Sequence, residues 1–229
     1  IIYNDKLHNH EEALNYFNKA INLDDSNASF YTNRGITYQW LNNNSEAINN
    51  FDKSIKLDSK NSYNYYYKGV SLLNENDIDT AIENLEKAIK LNNNDATFYV
   101  SLGNAYIKKS NFDEALNSFN TAIKLDEKSI NAFIGKGSSL YEKKQYDEAL
   151  KAFDSALDLD ENNEYNSKMH SFIDWSAKDK PQEWAGLRAV TVMSLEAAAD
   201  IANAFGDYEF SKKCILKKIK LQITMLMGQ

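Results

Sequence analysis

Apolar and small residues return along this chain at two nested spacings. The short one is helical. Tyr99, Gly103 and Tyr106 fall at i, i+4, i+7, and Ala115, Phe119, Ala122 and Leu125 at i, i+4, i+7, i+10, each set one face of an α-helix. Between the two runs stands Asn111, with Phe112 directly after it and Glu114 in the third place, which predicts the capped start of the second helix. The long spacing is 34 residues: Gly35, Gly69, Gly103 and Gly137 are that far apart, as are Ala13, Ala47, Ala81, Ala115 and Ala149. Three more columns keep the register, namely Phe17, Phe51, Leu85, Phe119 and Phe153; Ala20, Ser54, Ala88, Ala122 and Ala156; and Leu23, Leu57, Leu91, Leu125 and Leu159. These columns predict an array of helix pairs. A Gly on the first helix facing an Ala on the second lets the backbones close up, and the Phe or Leu one turn later fills the space toward the next pair. One such hairpin buries too little alone and must stack on neighbours.

The 34-residue period and its columns resemble the tetratricopeptide repeat family. The matched features are the small residue at repeat position 8, Ala at 20, Phe or Leu at 24 and Ala at 27. Tyr31, Tyr65, Tyr99 and Phe133 stand where the family favours an aromatic at position 4; Tyr38 and Tyr106 match that of position 11, where Leu72 and Leu140 replace it. The family's helix-ending Pro is absent, with Ser59, Asn93, Glu127 and Glu161 in its column. The resemblance implies an all-α, right-handed α-solenoid of stacked antiparallel helix pairs. It covers residues 1–163 as one truncated and four complete repeats, with a C-terminal helical cap over 164–229.

In that last region the register is lost, since Glu183 stands where Ala is required. Three helices are predicted there, about 164–176, Pro181 to about Phe205, and about Tyr208 to Met227, with a degenerate repeat in shifted register as the alternative. Ala189–Phe205 is apolar nearly all round, which calls for cover by the last repeat and the final helix, or by a second copy in a homo-oligomer. The final helix sets Lys212, Lys213, Lys217, Lys218 and Lys220 against Ile215, Leu216, Ile219, Ile223 and Leu226. A solvated face of a terminal cap is the plainer reading of those lysines, and an anionic membrane or acidic partner the sharper one.

Composition narrows the classes. With 43% hydrophobic and 12% aromatic residues the chain can build a core, and 1 Pro and 8 Gly are too few for a turn-dense β-protein. The net charge of −7 argues against a nucleic-acid partner. Its distribution is uneven: residues 1–163 hold 17 Lys+Arg against 25 Asp+Glu, and 164–229 hold 9 against 8. A single cysteine, Cys214, leaves no intrachain disulfide and no Cys-based zinc site. No apolar run is long enough to span a membrane. The lone Cys and mild acidity lean toward a cytoplasmic setting. The opening Ile1-Ile2-Tyr3, without Met, reads as a fragment and is compatible with a removed signal peptide.

No reaction chemistry emerges. His8, His10 and His170 make no metal-binding pair, and Asp158, Asp160 and Asn162 begin like a calcium loop but meet Asn163 and Met169 where Gly and Glu are needed. Asn27-Ala28-Ser29 and Asn43-Asn44-Ser45 are sequons in an Asn-rich chain. Neither a phosphate loop nor a nucleophile elbow is present. The expectation is therefore a non-enzymatic interaction module with no metal and no cofactor, acting on a protein or peptide partner.

The family resemblance implies that the first helices line a concave groove for an extended peptide or a partner helix. Carried onto this sequence, the groove residues are Thr32, Asn33, Ile36 and Trp40; Tyr63, Tyr66, Tyr67 and Val70; Val100, Ser101 and Asn104; and Asn131, Ile134 and Tyr141. The best-known subclass grips a C-terminal carboxylate with Asn and cations. Asn33 matches its Asn, but Tyr63 and Tyr67 stand where the cations belong, so no carboxylate clamp is expected. The tyrosines also have a plainer use, packing between repeats. Two rival readings remain: a regulatory or targeting domain of a longer enzyme or sensor, and a self-assembly domain acting through the cap helices.

Overall fold

The structure is a computed structural model that describes residues 10–160 and 216–217. Residues 10–160 form nine α-helices, and no strand occurs among the described residues. In chain order they are α1 (His10–Leu23), α2 (Ala28–Trp40), α3 (Asn44–Leu57), α4 (Ser62–Asn74), α5 (Ile78–Leu91), α6 (Ala96–Lys108), α7 (Phe112–Leu125), α8 (Ile130–Glu142) and α9 (Tyr146–Asp160). The chain divides into two compact units, Ile1–Glu127 and Lys128–Gln229. The expected cap over 164–229 lies outside the described residues apart from 216–217, as do the 163/164 boundary, Ala189–Phe205, His8, His170 and Cys214.

In the first unit α2, α4 and α6 open successive repeats, and α3, α5 and α7 close them. Each opening helix packs against the closing helices before and after it, and α2 and α6 both touch α4. The pairing rests on the Gly column, though with a different partner from the one expected. A Cβ on Gly35 would stand 2.7 Å from the Phe51 ring, and one on Gly103 2.7 Å from Phe119. Gly69 meets Leu85 at 2.8 Å, with the Ala81 carbonyl next at 3.2 Å. The missing side chain thus admits the large residue at position 24 of the same repeat, while the buried Ala column keeps the second helix close. In the second unit α8 and α9 repeat the arrangement, Gly137 lying under Phe153. Phe51, Phe119 and Phe153 are all fully buried.

Most of the Leu column lies outside the core. Leu23, Leu57, Leu91 and Leu125 are exposed, because they sit at the last position of α1, α3, α5 and α7, where the packed face has run out. The residues directly after three of these leucines take over from the missing Pro. Asp24, Asp58 and Asn92 each accept the backbone N–H two residues on, from Ser26, Lys60 and Asn94. These Asx turns end the helix without a fixed φ.

The turns inside the repeats are as regular. Asn42, Asn76, Ser110 and Lys144 all have φ between 55° and 63°, and each lies two residues past the end of an opening helix. After each of them the next N–H reaches back five residues, as in Asn43 to Tyr38 and Asp77 to Leu72 at 2.9 Å, the Schellman pattern. The same residue then starts the following helix: Asn43 caps the Glu46 N–H and Asp77 the Thr80 N–H. Asn111 stands at the predicted N-cap of α7, without a side-chain cap bond. Asn27 likewise caps α2 through Ser29, so the Asn of each sequon is spent on a helix start.

Candidate functional site

The residues expected to line a groove fall on one face of each opening helix, but they do three different jobs. In α2, Asn33, Ile36 and Trp40 lie at i, i+3, i+7. Trp40 is 62% exposed and lies parallel to the His10 ring at 6.1 Å. Asn33 and Ile36 are half-buried. Thr32, by contrast, is committed inward. Its hydroxyl lies 2.7 Å from both Ser54 Oγ and Asn64 Oδ1, and Ser54 Oγ donates to the Ala28 carbonyl at 3.0 Å. Asn64 is fully buried, its Nδ2 without a partner. Turning that amide over gives each of the three contacts its own hydrogen: Nδ2 to Thr32, Thr32 to Ser54, Ser54 to Ala28. Ser54 thus departs from its Ala column because a polar chain passes there. Gln39 also points inward, donating to Tyr67 O at 3.0 Å and Ser71 Oγ at 2.7 Å.

On α4 the three tyrosines join a residue that the periodicity did not single out. Phe98 of α6 is fully buried and closes a ring of four aromatics. Tyr63–Phe98, Phe98–Tyr66, Tyr66–Tyr67 and Tyr67–Tyr63 have centroid separations of 5.3, 4.9, 5.1 and 6.3 Å. These are packing distances, so the rings fill the space between α4 and α6 and leave no cage among themselves. Tyr67 also stacks on Phe51 at 5.8 Å. The column holding Phe98 reads Phe30, Asn64, Phe98, Ala132; its variety hides it from a search for repeated residue types.

Tyr63 keeps one side open. It is 43% exposed, and its hydroxyl donates to Asp95 Oδ2 at 2.7 Å. Asp95 is the N-cap of α6, its Oδ1 accepting from the Thr97 backbone at 3.0 Å and the Thr97 hydroxyl at 2.6 Å. Partial burial pushes the Asp95 carboxyl up, but the bonds from Thr97 and Tyr63 outweigh it and hold it below the ordinary value. The Tyr63 phenol is raised by its bond to Asp95 and by the carboxylate's charge. Tyr67 is raised first by burial, then by Tyr66 and Asp95.

Val70 and Val100 are half-buried, Ser101 likewise, and Asn104 is exposed. The second unit carries Asn131 exposed, Ile134 half-buried and Tyr141 exposed, the last against Tyr146 at 5.7 Å. Among the described residues no group of His, Cys, Asp and Glu is placed to hold a metal, and no helix is long and apolar enough to cross a membrane.

A family model described as anaphase-promoting complex, cyclosome, subunit 3 matches residues 40–119 and again 74–156, and a tetratricopeptide repeat model matches 2–27. The two placements of the first begin 34 residues apart, so that model slides along the array by one helix pair. The chain is a tetratricopeptide repeat protein. Solved structures agree. It is similar to MamA at 26% identity and TM-score 0.64, over 69% of this chain and 93% of that one. It is also similar to YrrB, described as a tetratricopeptide repeat protein with an unusual peptide-binding site, at 26% identity and TM-score 0.59, over 73% and 86%. MamA from Desulfovibrio magneticus RS-1 shares the fold at 24% identity and TM-score 0.63, over 68% and 88%. No curated protein matches. This tetratricopeptide repeat protein belongs with protein–protein interaction modules.

Proposed function

We propose that this tetratricopeptide repeat protein is a non-catalytic adaptor that holds an extended peptide along the face formed by α2, α4 and α6, without a carboxylate clamp. The supporting observation is the division of labour among the side chains of that face. Thr32, Gln39, Tyr66 and Phe98 are occupied in joining repeats. Asn33, Trp40, Tyr63, Val70, Val100, Ser101 and Asn104 still present surface. That remainder combines amide and hydroxyl groups with apolar ones, which suits a strand whose backbone needs hydrogen bonds and whose side chains need contact area. YrrB, similar in fold, is a peptide-binding member of the family.

The family's carboxylate clamp sets cations in the next repeat's columns after Asn33, and in this sequence those columns hold Tyr63 and Tyr67, which feel the negative charge of Asp95. The test is an array of twelve-residue peptides of mixed sequence, each with a free or an amidated C-terminus, probed with the full chain. Binding that is indifferent to amidation supports the reading. Binding confined to free acidic C-termini, or to no peptide at all, contradicts it.

A further inference from the structure

The structure assigns the exposed face of Tyr63, together with Asp95 Oδ2, as a subsite for a cationic side chain, arginine above all, of the segment bound along α2, α4 and α6. This rests on the groove reading above and names the partner's chemistry at one point.

Three observations converge on it. The first is that the charge at residue 95 exceeds what the fold requires. The four residues that start α2, α4, α6 and α8 are Asn27, Asn61, Asp95 and Ser129. Asn27 and Asn61 cap their helices through the same bond, to the N–H two residues on, that Asp95 makes, and Asn caps as well as Asp. The second is that the charge is not neutralised. The ion pairs Lys68–Asp52 and Lys109–Asp79 leave Asp95 out, and among the described residues the side-chain partners of its carboxylate are the uncharged Thr97 and Tyr63. Lys108, on the same face, is at the far end of α6, roughly 20 Å away along the axis. The α6 dipole offsets about half a charge, which leaves the site net negative.

The third observation is the aromatic surface beside that charge. Tyr63 is fixed by edge contact with buried Phe98 and by its own bond to Asp95, so its open face is held next to the carboxylate. A guanidinium laid on that face gains a cation–π contact and donates to the remaining lone pair of Oδ2, the combination of stacking and forked donation that favours Arg over Lys. Apart from Lys108 at the far end of α6, the surface-presenting residues of that face, Asn33, Trp40, Tyr63, Val70, Val100, Ser101 and Asn104, are uncharged, so nothing close to the carboxylate among them repels the cation.

The experiment uses two probes on the full isotopically labelled chain. N-acetyl-arginine amide and its uncharged isostere N-acetyl-citrulline amide are titrated while the backbone amides of Tyr63, Asp95 and Thr97 are followed by NMR. Saturable shifts with the arginine probe, absent with citrulline and lost in Asp95→Asn, are expected; that variant keeps the cap, and unchanged far-UV circular dichroism confirms it. Equal shifts from both probes, or shifts that survive Asp95→Asn, overturn the subsite. On the peptide array, replacing Arg by citrulline in a bound peptide weakens binding about tenfold, from stacking and charge-assisted donation together. Peptides that bind along α2, α4 and α6 with no such preference sink the subsite and leave the groove standing. Arginine-probe shifts without any peptide binding do the reverse.

Discussion

Ser110 and Lys144 occupy the left-handed backbone that Asn42 and Asn76 fill more comfortably. A β-carbon there is strained, while Gly is not. Ser110→Gly and Lys144→Gly are each expected to raise stability by about 0.5–1 kcal/mol in urea unfolding, although Gly usually lowers it. The opposite holds at Gly103. A methyl group at 2.7 Å from the Phe119 ring must displace a fully buried side chain, so Gly103→Ala should cost about 1–3 kcal/mol by the same assay. The Thr32–Ser54–Asn64 chain gives a coupling test. Thr32→Val alone strands the buried Asn64 amide and should cost about 1–3 kcal/mol, while Thr32→Val, Ser54→Ala and Asn64→Leu together should cost much less than the sum of the single changes. Little of this residue-level detail was legible beforehand. The Gly and Phe columns were plain, but which of them meet depends on how two helices rotate against each other, and equal spacing along the chain does not reveal that.

The helices themselves were legible, because each carries an apolar stripe and a polar start. Their ends were less so. The leucines at the last position of α1, α3, α5 and α7 share the period of the core without sharing its burial, since a column shows that a position recurs and not which way it faces. The Asx turns that replace Pro were visible only as Asp24, Asp58 and Asn92 one residue before the column expected to hold it. The start of α6 has a consequence for pH. Asp95 is held below the ordinary carboxylate value in the folded chain, so its contribution to stability is complete above the unfolded value of about 4 and fades as pH falls through the folded value. Asp95→Asn should therefore flatten the acid limb of stability below about pH 4 and change little at neutral pH. A limb identical in the two proteins would mean that the carboxylate gains nothing from Thr97 and Tyr63.

Across the molecule, the arithmetic that revealed the repeats also pointed to the face formed by their opening helices. It could not separate residues on that face that join repeats from those that remain open. Thr32, Tyr66 and Tyr67 share their spacing with Asn33, Trp40 and Asn104, and only the packing of α4 against α2 and α6 tells them apart. Phe98 escaped notice because no other repeat has a ring there except at Phe30. Peptide binding along this face depends on that separation. Its most direct measurement is the dissociation constant of an array-selected peptide for the full chain and for the variant Asn33→Ala, Trp40→Ala, Asn104→Ala, beside the urea midpoint of each. The expected result is binding weakened at least about tenfold, a loss of roughly 1.4 kcal/mol or more, with the midpoint unmoved. Undiminished affinity in the triple variant would contradict it.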